Sequence, residues 1–296
     1  MELSEGGLLP FTLSHAAAVL PVIRRDGTGR GPLIPSMLVA GSFAPDMTYF
    51  AASVLPGAME FGDVTHSAVG VFTVDALIAA ALVGVWRVLR EPLVALLPRA
   101  WQGRTYALLR GGSGERVRRS LGPLIVWGYL SAVLGAVTHA VWDTFTHLDR
   151  WGMRVFPVLG EEVAGSPLYW YAQYGGSALA LVVIAVFVAS ALRRVPPAER
   201  VGVPELSVGG RWLAGLLIGG CAAVGATHRA LRWWAYWGET AKPWELIPTL
   251  CFGAGAGLAV GVVVYGVGVR GLRAARPVAP AVADASAAAE ASVARE

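Results

Sequence analysis

The run LGPLIVWGYLSAVLGAVTHAV, from Leu121 to Val141, decides the fold class. It contains no Asp, Glu, Lys or Arg. A helix needs roughly 20 such residues to cross the hydrocarbon core of a bilayer. Working outward, Val69 to Leu89, Ser177 to Leu192 and Ile247 to Val269 repeat the pattern, interrupted only by an occasional charged residue. Leu213 to Thr227 is shorter and Gly-rich, and reads as a fifth helix beside them. Gly253, Gly255, Gly257 and Gly261 would weaken a helix in water, whereas in lipid they let helix backbones approach closely.

Composition agrees. The chain is 55% hydrophobic and only 15% charged, with a mean hydropathy of +0.56. A soluble domain carries about 25% charged residues, so a water-facing globule is excluded. The formal charge of +4 comes from arginines spread over the connecting segments, and no nucleic-acid partner is expected. Cys221 and Cys251 fall inside apolar spans, where free cysteine acts as a small hydrophobe. The acidic start Met1-Glu2-Leu3-Ser4-Glu5 lacks the basic region of a cleaved signal. The fold expected is all-α: a polytopic transmembrane helix bundle of about five clear spans plus an N-terminal pair of shorter helices. It forms one membrane-embedded domain over 1–276, followed by a disordered Ala/Pro-rich tail at 277–296.

Arginine content orients the bundle. The segment 90–120 holds Arg90, Arg99, Arg104, Arg110, Arg116, Arg118 and Arg119, whereas the segment after Val141 has only Arg150 and Arg154 set against Asp149, Glu161 and Glu162. Rich and poor segments alternate, as the positive-inside rule demands. The basic loop 90–120 and the C-terminus are thus expected on the cytoplasmic side of the membrane. Leu8 to Ile23 and Pro32 to Ala44, around Arg24, Arg25 and Arg30, read as a helical hairpin dipping into the bilayer.

On this topology His66, His139, His147 and Asp143 gather at the extracytoplasmic face, with His15 and Asp46 brought there by the hairpin. Ionisable residues in membrane segments are costly and are functional candidates by default. His139, Asp143 and His147 stand at i, i+4 and i+8, so a continuous helix would align them in one stripe. Adjacent members can share an ion, but the outer pair would be about 12 Å apart along the axis. Either one histidine lies behind the ligands, or two ions are bridged by a carboxylate such as Asp143. Imidazole with carboxylate suits zinc first, then manganese or iron. Plainer roles stay open: His15 with Ser14 as a buried polar contact, His66 in a helix N-cap, Asp46 as a turn or cap residue. His228, beside Arg229, reads as a surface residue, and Trp233, Trp234, Tyr236, Trp237 and Trp244 as an interfacial belt.

Pro10-Phe11-Thr12-Leu13-Ser14-His15, Gly41-Ser42-Phe43-Ala44-Pro45-Asp46, Thr65-His66-Ser67 with Gly70, Thr138-His139 to Thr146-His147, and Gln173-Tyr174-Gly175 with Ser177 occur in this order. Together they resemble the motif blocks of a bacterial integral-membrane family, domain of unknown function 4184. That family is similar in motif style to membrane-bound metal-dependent hydrolases and, more distantly, to zinc-dependent phospholipases. The resemblance implies a metal site built from His15, Asp46, His66, His139, Asp143 and His147. The leading expectation is a metal-dependent hydrolase acting on a membrane lipid or lipid phosphoester, with Asp46 or Asp143 as proton acceptor. One alternative is a lipid or terpenoid cyclase or isomerase that uses a carboxylic acid and an aromatic pocket. A non-enzymatic metal-binding or transport protein is another.

Overall fold

The computed structural model describes residues 12–55, 57–111, 120–148, 150–238 and 246–274. The tail expected at 277–296 lies outside them, as do Pro10, Phe11, Lys242 and Trp244. Except for one two-residue hairpin, Glu162–Val163 with Ser166–Pro167, the regular elements are helical.

Among the described residues four helices are long and apolar enough to cross a membrane: α7 (Leu121–Asp143), α9 (Leu168–Arg194), α10 (Val208–Trp237) and α11 (Leu246–Arg273 of a helix running to Ala274), with a short α8 (Trp151–Val155) between the first two. The expected span at Val69 to Leu89 is cut by a break at Thr73. It becomes a short α4 (Ala68–Phe72), capped by the Ser67 hydroxyl on the Gly70 amide, and a 23-residue α5 (Val74–Leu96). Asp75, Arg87, Arg90 and Glu91 make α5 more polar than the other four. The basic stretch 90–120 is not a plain loop, because α5 continues to Leu96 and α6 (Arg99–Leu109) follows.

The N-terminal pair is present as an 11-residue 3-10 helix (Thr12–Val22) and α1 (Pro35–Phe43). A 3-10 helix has 3.0 residues per turn, so side chains three apart eclipse. That winding puts Thr12 and His15 on one side, where both meet the site. Pro35 starts α1 in the first turn, where a missing N–H costs nothing. A 3-10 turn (Ala44–Asp46) and α2 (Met47–Ala51) continue the chain, and α3 (Gly62–Thr65) precedes α4.

The core is made of small side chains. Ala40, Ala44, Ala76, Ala79, Ala132 and Ala136 pack with Val71, Val83 and Val133. A Cβ on Gly41 would lie 2.1 Å from the Ala132 carbonyl, and one on Gly135 2.2 Å from that of Leu38, so α1 and α7 touch backbone to backbone. Lipid-type association relies on such contact, since apolar burial gives little drive there. Helices α10 and α11 pair the same way through Gly225, Gly253 and Gly257. Both cysteines are free.

At the far end of α5, Glu91 accepts hydrogen bonds from Arg90 (2.7 Å), Arg110 (2.9 Å) and Arg270 (2.8 Å), tying α5, α6 and α11 together. Arg104 reaches the terminal carbonyls of α9 at Leu192 and Arg193, groups a helix end otherwise leaves unpaired. From Asp75 to Glu91 the rise is about 24 Å at 1.5 Å per residue. The arginine-rich end and the histidine-rich end are therefore well separated along the bundle.

Candidate metal centre

Helix α7 presents His139 and Asp143 one turn apart. Against them the 3-10 turn places Asp46, and the bend between α3 and α4 places His66. His139 Nε2 lies 3.2 Å from Asp143 Oδ2 and 3.4 Å from Asp46 Oδ1. His66 Nε2 lies 3.4 Å from Asp143 Oδ2 and 3.7 Å from Asp46 Oδ1. One ligand atom from each of the four residues falls within 4.8 Å of the others. Two atoms bound tetrahedrally to one ion, at about 2.0–2.2 Å each, sit about 3.3–3.6 Å apart. The four separations, from 3.2 to 3.7 Å, bracket that edge length, and the shortest also falls at the long end of N–H···O bonds, about 2.7–3.2 Å.

The unused nitrogens and oxygens point the same way. His139 Nε2, Asp46 Oδ1, Asp143 Oδ1, His15 Nε2 and His147 Nε2 are buried without a hydrogen-bond partner. Native proteins leave few buried polar groups unpaired. Asp46, His66, His139 and Asp143 form a group that could hold a metal ion.

The groups behind them fix orientation. His139 Nδ1 faces the Ser42 carbonyl at 2.8 Å, and His66 Nδ1 faces the Gly62 carbonyl at 2.9 Å. A carbonyl can only accept, so each Nδ1 carries the hydrogen and each Nε2 keeps its lone pair for the centre. The Thr12 hydroxyl donates to Asp46 Oδ2 at 2.5 Å, leaving Oδ1 for the cluster. The Thr65 hydroxyl donates to the Pro45 carbonyl at 2.8 Å and locks the two loops together. His66 lies outside the spanning helices. Burial alone would lower the pKa of its ring, but the Asp143 and Asp46 carboxylates push it up to about 9. In the absence of an ion, a proton holds that position between the two acids.

The remaining two expected residues stand beside the four. His15 Nε2 is 3.6 Å from Asp143 Oδ1, and its ring stacks on His139. His147 departs from the continuous stripe expected of it. Helix α7 ends at Asp143, and the turn that follows folds the His147 ring back to 3.9 Å from Asp143 Oδ1. All six residues are thus brought together, four in one tight group and two flanking it. Ser67, not His66, caps α4. His228 is exposed on α10, as are Trp234, Tyr236 and Trp237.

A family model described as domain of unknown function 4184 matches residues 9–267. The chain belongs to this family. No curated protein and no solved structure matches. Within this member of domain of unknown function 4184, four of the motif blocks carry the six clustered residues. The fifth supplies Gln173 and Ser177: Gln173 is buried with its Nε2 unpartnered, and Ser177 accepts the Ser14 hydroxyl at 3.3 Å.

Sequence reasoning missed Asp75. It is fully buried in the first turn of α5, neither carboxylate oxygen has a hydrogen-bond partner, and it lies within electrostatic range of His66, His139 and Asp46. A lone acid in an otherwise apolar run reads as a tolerated interruption, and only the fold shows which end of the helix it occupies.

Proposed function

We propose that this protein is a metal-dependent hydrolase of the cell membrane, acting on a lipid phosphoester at the extracytoplasmic interface. The observation that carries the reading is the convergence of one ligand atom from each of Asp46, His66, His139 and Asp143 to within 4.8 Å of one another. Two imidazoles and two carboxylates form a donor set that suits zinc, with manganese and iron behind it. Such an ion, when bound, polarises a phosphoryl oxygen and brings the pKa of a coordinated water toward about 7.

The chain's own groups supply the rest. Asp46 and Asp143 are the carboxylates within reach of a proton released at the centre, and either one can accept it. The Thr12 hydroxyl keeps Asp46 facing inward, and the Ser42 and Gly62 carbonyls hold the two rings in the ligating tautomer. Burial of Asp46, His139 and Asp143 excludes bulk water and strengthens each charge interaction there.

The extracytoplasmic placement rests on the arginine distribution. Arg90, Arg110 and Arg270 gather at the end of the bundle away from the histidines, and basic segments stay in the cytoplasm. Elemental analysis of the protein purified in detergent, alongside Asp143→Asn, tests the reading. Bound zinc or manganese in the wild type, with lipid phosphoesterase activity lost in the variant, is the expected result. Wild-type protein without metal overturns it and leaves the carboxylic-acid cyclase as the better account.

A further inference from the structure

We propose that a second divalent cation binds on the outer side of Asp143, held by Asp143 Oδ1, His15 and His147, so that Asp143 bridges two ions. The inference rests on the metal centre proposed above and extends it. Asp143 uses Oδ2 in the four-residue group. Its Oδ1 is buried, has no hydrogen-bond partner, and faces two further imidazoles.

His15 supplies the first of these. It is only 4% exposed, and its Nε2 is unpartnered and aimed at Asp143 Oδ1 from 3.6 Å. That distance is again the edge of a tetrahedron about an ion and too long for a hydrogen bond. His147 Nδ1 lies 3.9 Å from the same oxygen and 3.3 Å from both the Asp143 carbonyl and the Thr146 hydroxyl, so the nitrogen it has free for an ion is its buried, unpartnered Nε2. Each flanking ring therefore retains a nitrogen that nothing in the protein uses.

The stack of His15 on His139 sets the spacing. The rings are nearly parallel, 17° apart in plane, with centroids separated by 3.7 Å. Their Nε2 atoms address different oxygens of one carboxylate, His139 toward Oδ2 and His15 toward Oδ1. Ions bound at these two nitrogens would be neighbours on one carboxylate. Paired catalytic metals bridged by a carboxylate stand about 3.5–4 Å apart.

Charge supplies an independent argument. Ligating histidines are neutral, so a single divalent ion is already balanced by Asp46 and Asp143. Asp75 adds a third buried carboxylate with no partner for either oxygen, close enough to feel His66, His139 and Asp46. When ionised, Asp75 offsets half the charge of a second divalent cation.

The test is a stoichiometric titration of chelator-stripped full-length protein in detergent with MnCl2, followed by calorimetry and by electron paramagnetic resonance. The wild type should take up two equivalents and show a spin-coupled pair. His15→Ala and His15→Gln should each take up one, with an isolated six-line Mn signal. Should both variants fail to fold, the wild-type spectrum alone decides, since coupling requires two neighbouring ions. One equivalent in the wild type, with no coupling, overturns the second site and leaves the first standing. No uptake at all overturns the metal centre itself.

Discussion

The imidazole of His15 lies flat on that of His139, although one belongs to the N-terminal 3-10 helix and the other to the end of α7. Two imidazolium ions could not stack in this way without strong repulsion, so at least one ring is neutral. The contact also registers the N-terminal hairpin against α7, and an ion held between them would act as a cross-link.

Metal should therefore stabilise the fold. At a free ion concentration 100-fold above Kd, binding contributes about 2.7 kcal/mol. Chelation should lower the thermal midpoint in detergent, and zinc or manganese should restore it. Asp143→Asn keeps the shape and removes the charge, so it should erase the metal-dependent shift, while His228→Ala on the exposed face of α10 should retain it. An unchanged midpoint on chelation would count against the cross-link.

The Thr12 hydroxyl orients Asp46 without belonging to the ligand group. Thr12→Val removes that hydrogen bond at nearly constant volume. Groups of this kind support metal affinity by about 10–100-fold, and a loss of that size should appear in a competition assay with a fluorescent chelator. Wild-type affinity in the variant would show that Asp46 needs no such support.

Protons and metal compete for His66. Its pKa, driven down by burial but carried up to about 9 by Asp143 and Asp46, is raised above the unfolded value. In the ion-free protein its contribution to stability is thus fully present below about pH 6.5 and is lost as pH rises through about 9. Metal affinity runs the other way: it should climb between pH 6 and 9, with proton release detectable as buffer-dependent heats of binding. Affinity that is flat across this range would place the ion away from His66.

Packing and chemistry meet at Gly135. A Cβ there would press on the Leu38 carbonyl at 2.2 Å and the Ser42 amide at 2.7 Å. Gly135→Ala should cost about 1–3 kcal/mol by overpacking, and it should also weaken metal binding, because Ser42 is the residue that aligns His139. Substituting Gly84, which has open space around it, should do neither. Equal metal affinity in both variants would uncouple the α1–α7 contact from the site.

Topology has its own check. Gly111→Cys should resist an impermeant maleimide in intact cells, and Gly160→Cys should react with it. Labelling of the first from outside would invert the orientation argued from the arginines.

Much of this was legible in the residues because lipid imposes strict rules. Apolar length marks a span, and His139 with Asp143 at i, i+4 must share a helix face. Three features were not. The end of α7 at Asp143 depends on Thr144 and Phe145 turning the chain, and nothing local forbids another helical turn there. The 3-10 winding that aligns Thr12 with His15 is a product of tertiary packing, since an apolar run gives no sign of its pitch. Asp75 shows neither spacing nor motif, and its meaning comes from the charged groups that the fold brings near it, His66, His139 and Asp46.

The six clustered residues come from separate stretches of chain: the N-terminal 3-10 helix, the turn after α1, the bend before α4, and the close of α7. A ribosome delivers them in that order, so His15, Asp46, His66 and Asp75 reach the bilayer well before His139 and Asp143. During that interval the nascent protein displays acids that lipid cannot accommodate and that only the later helix can neutralise. Burial of those acids is therefore completed only when α7 joins the N-terminal elements.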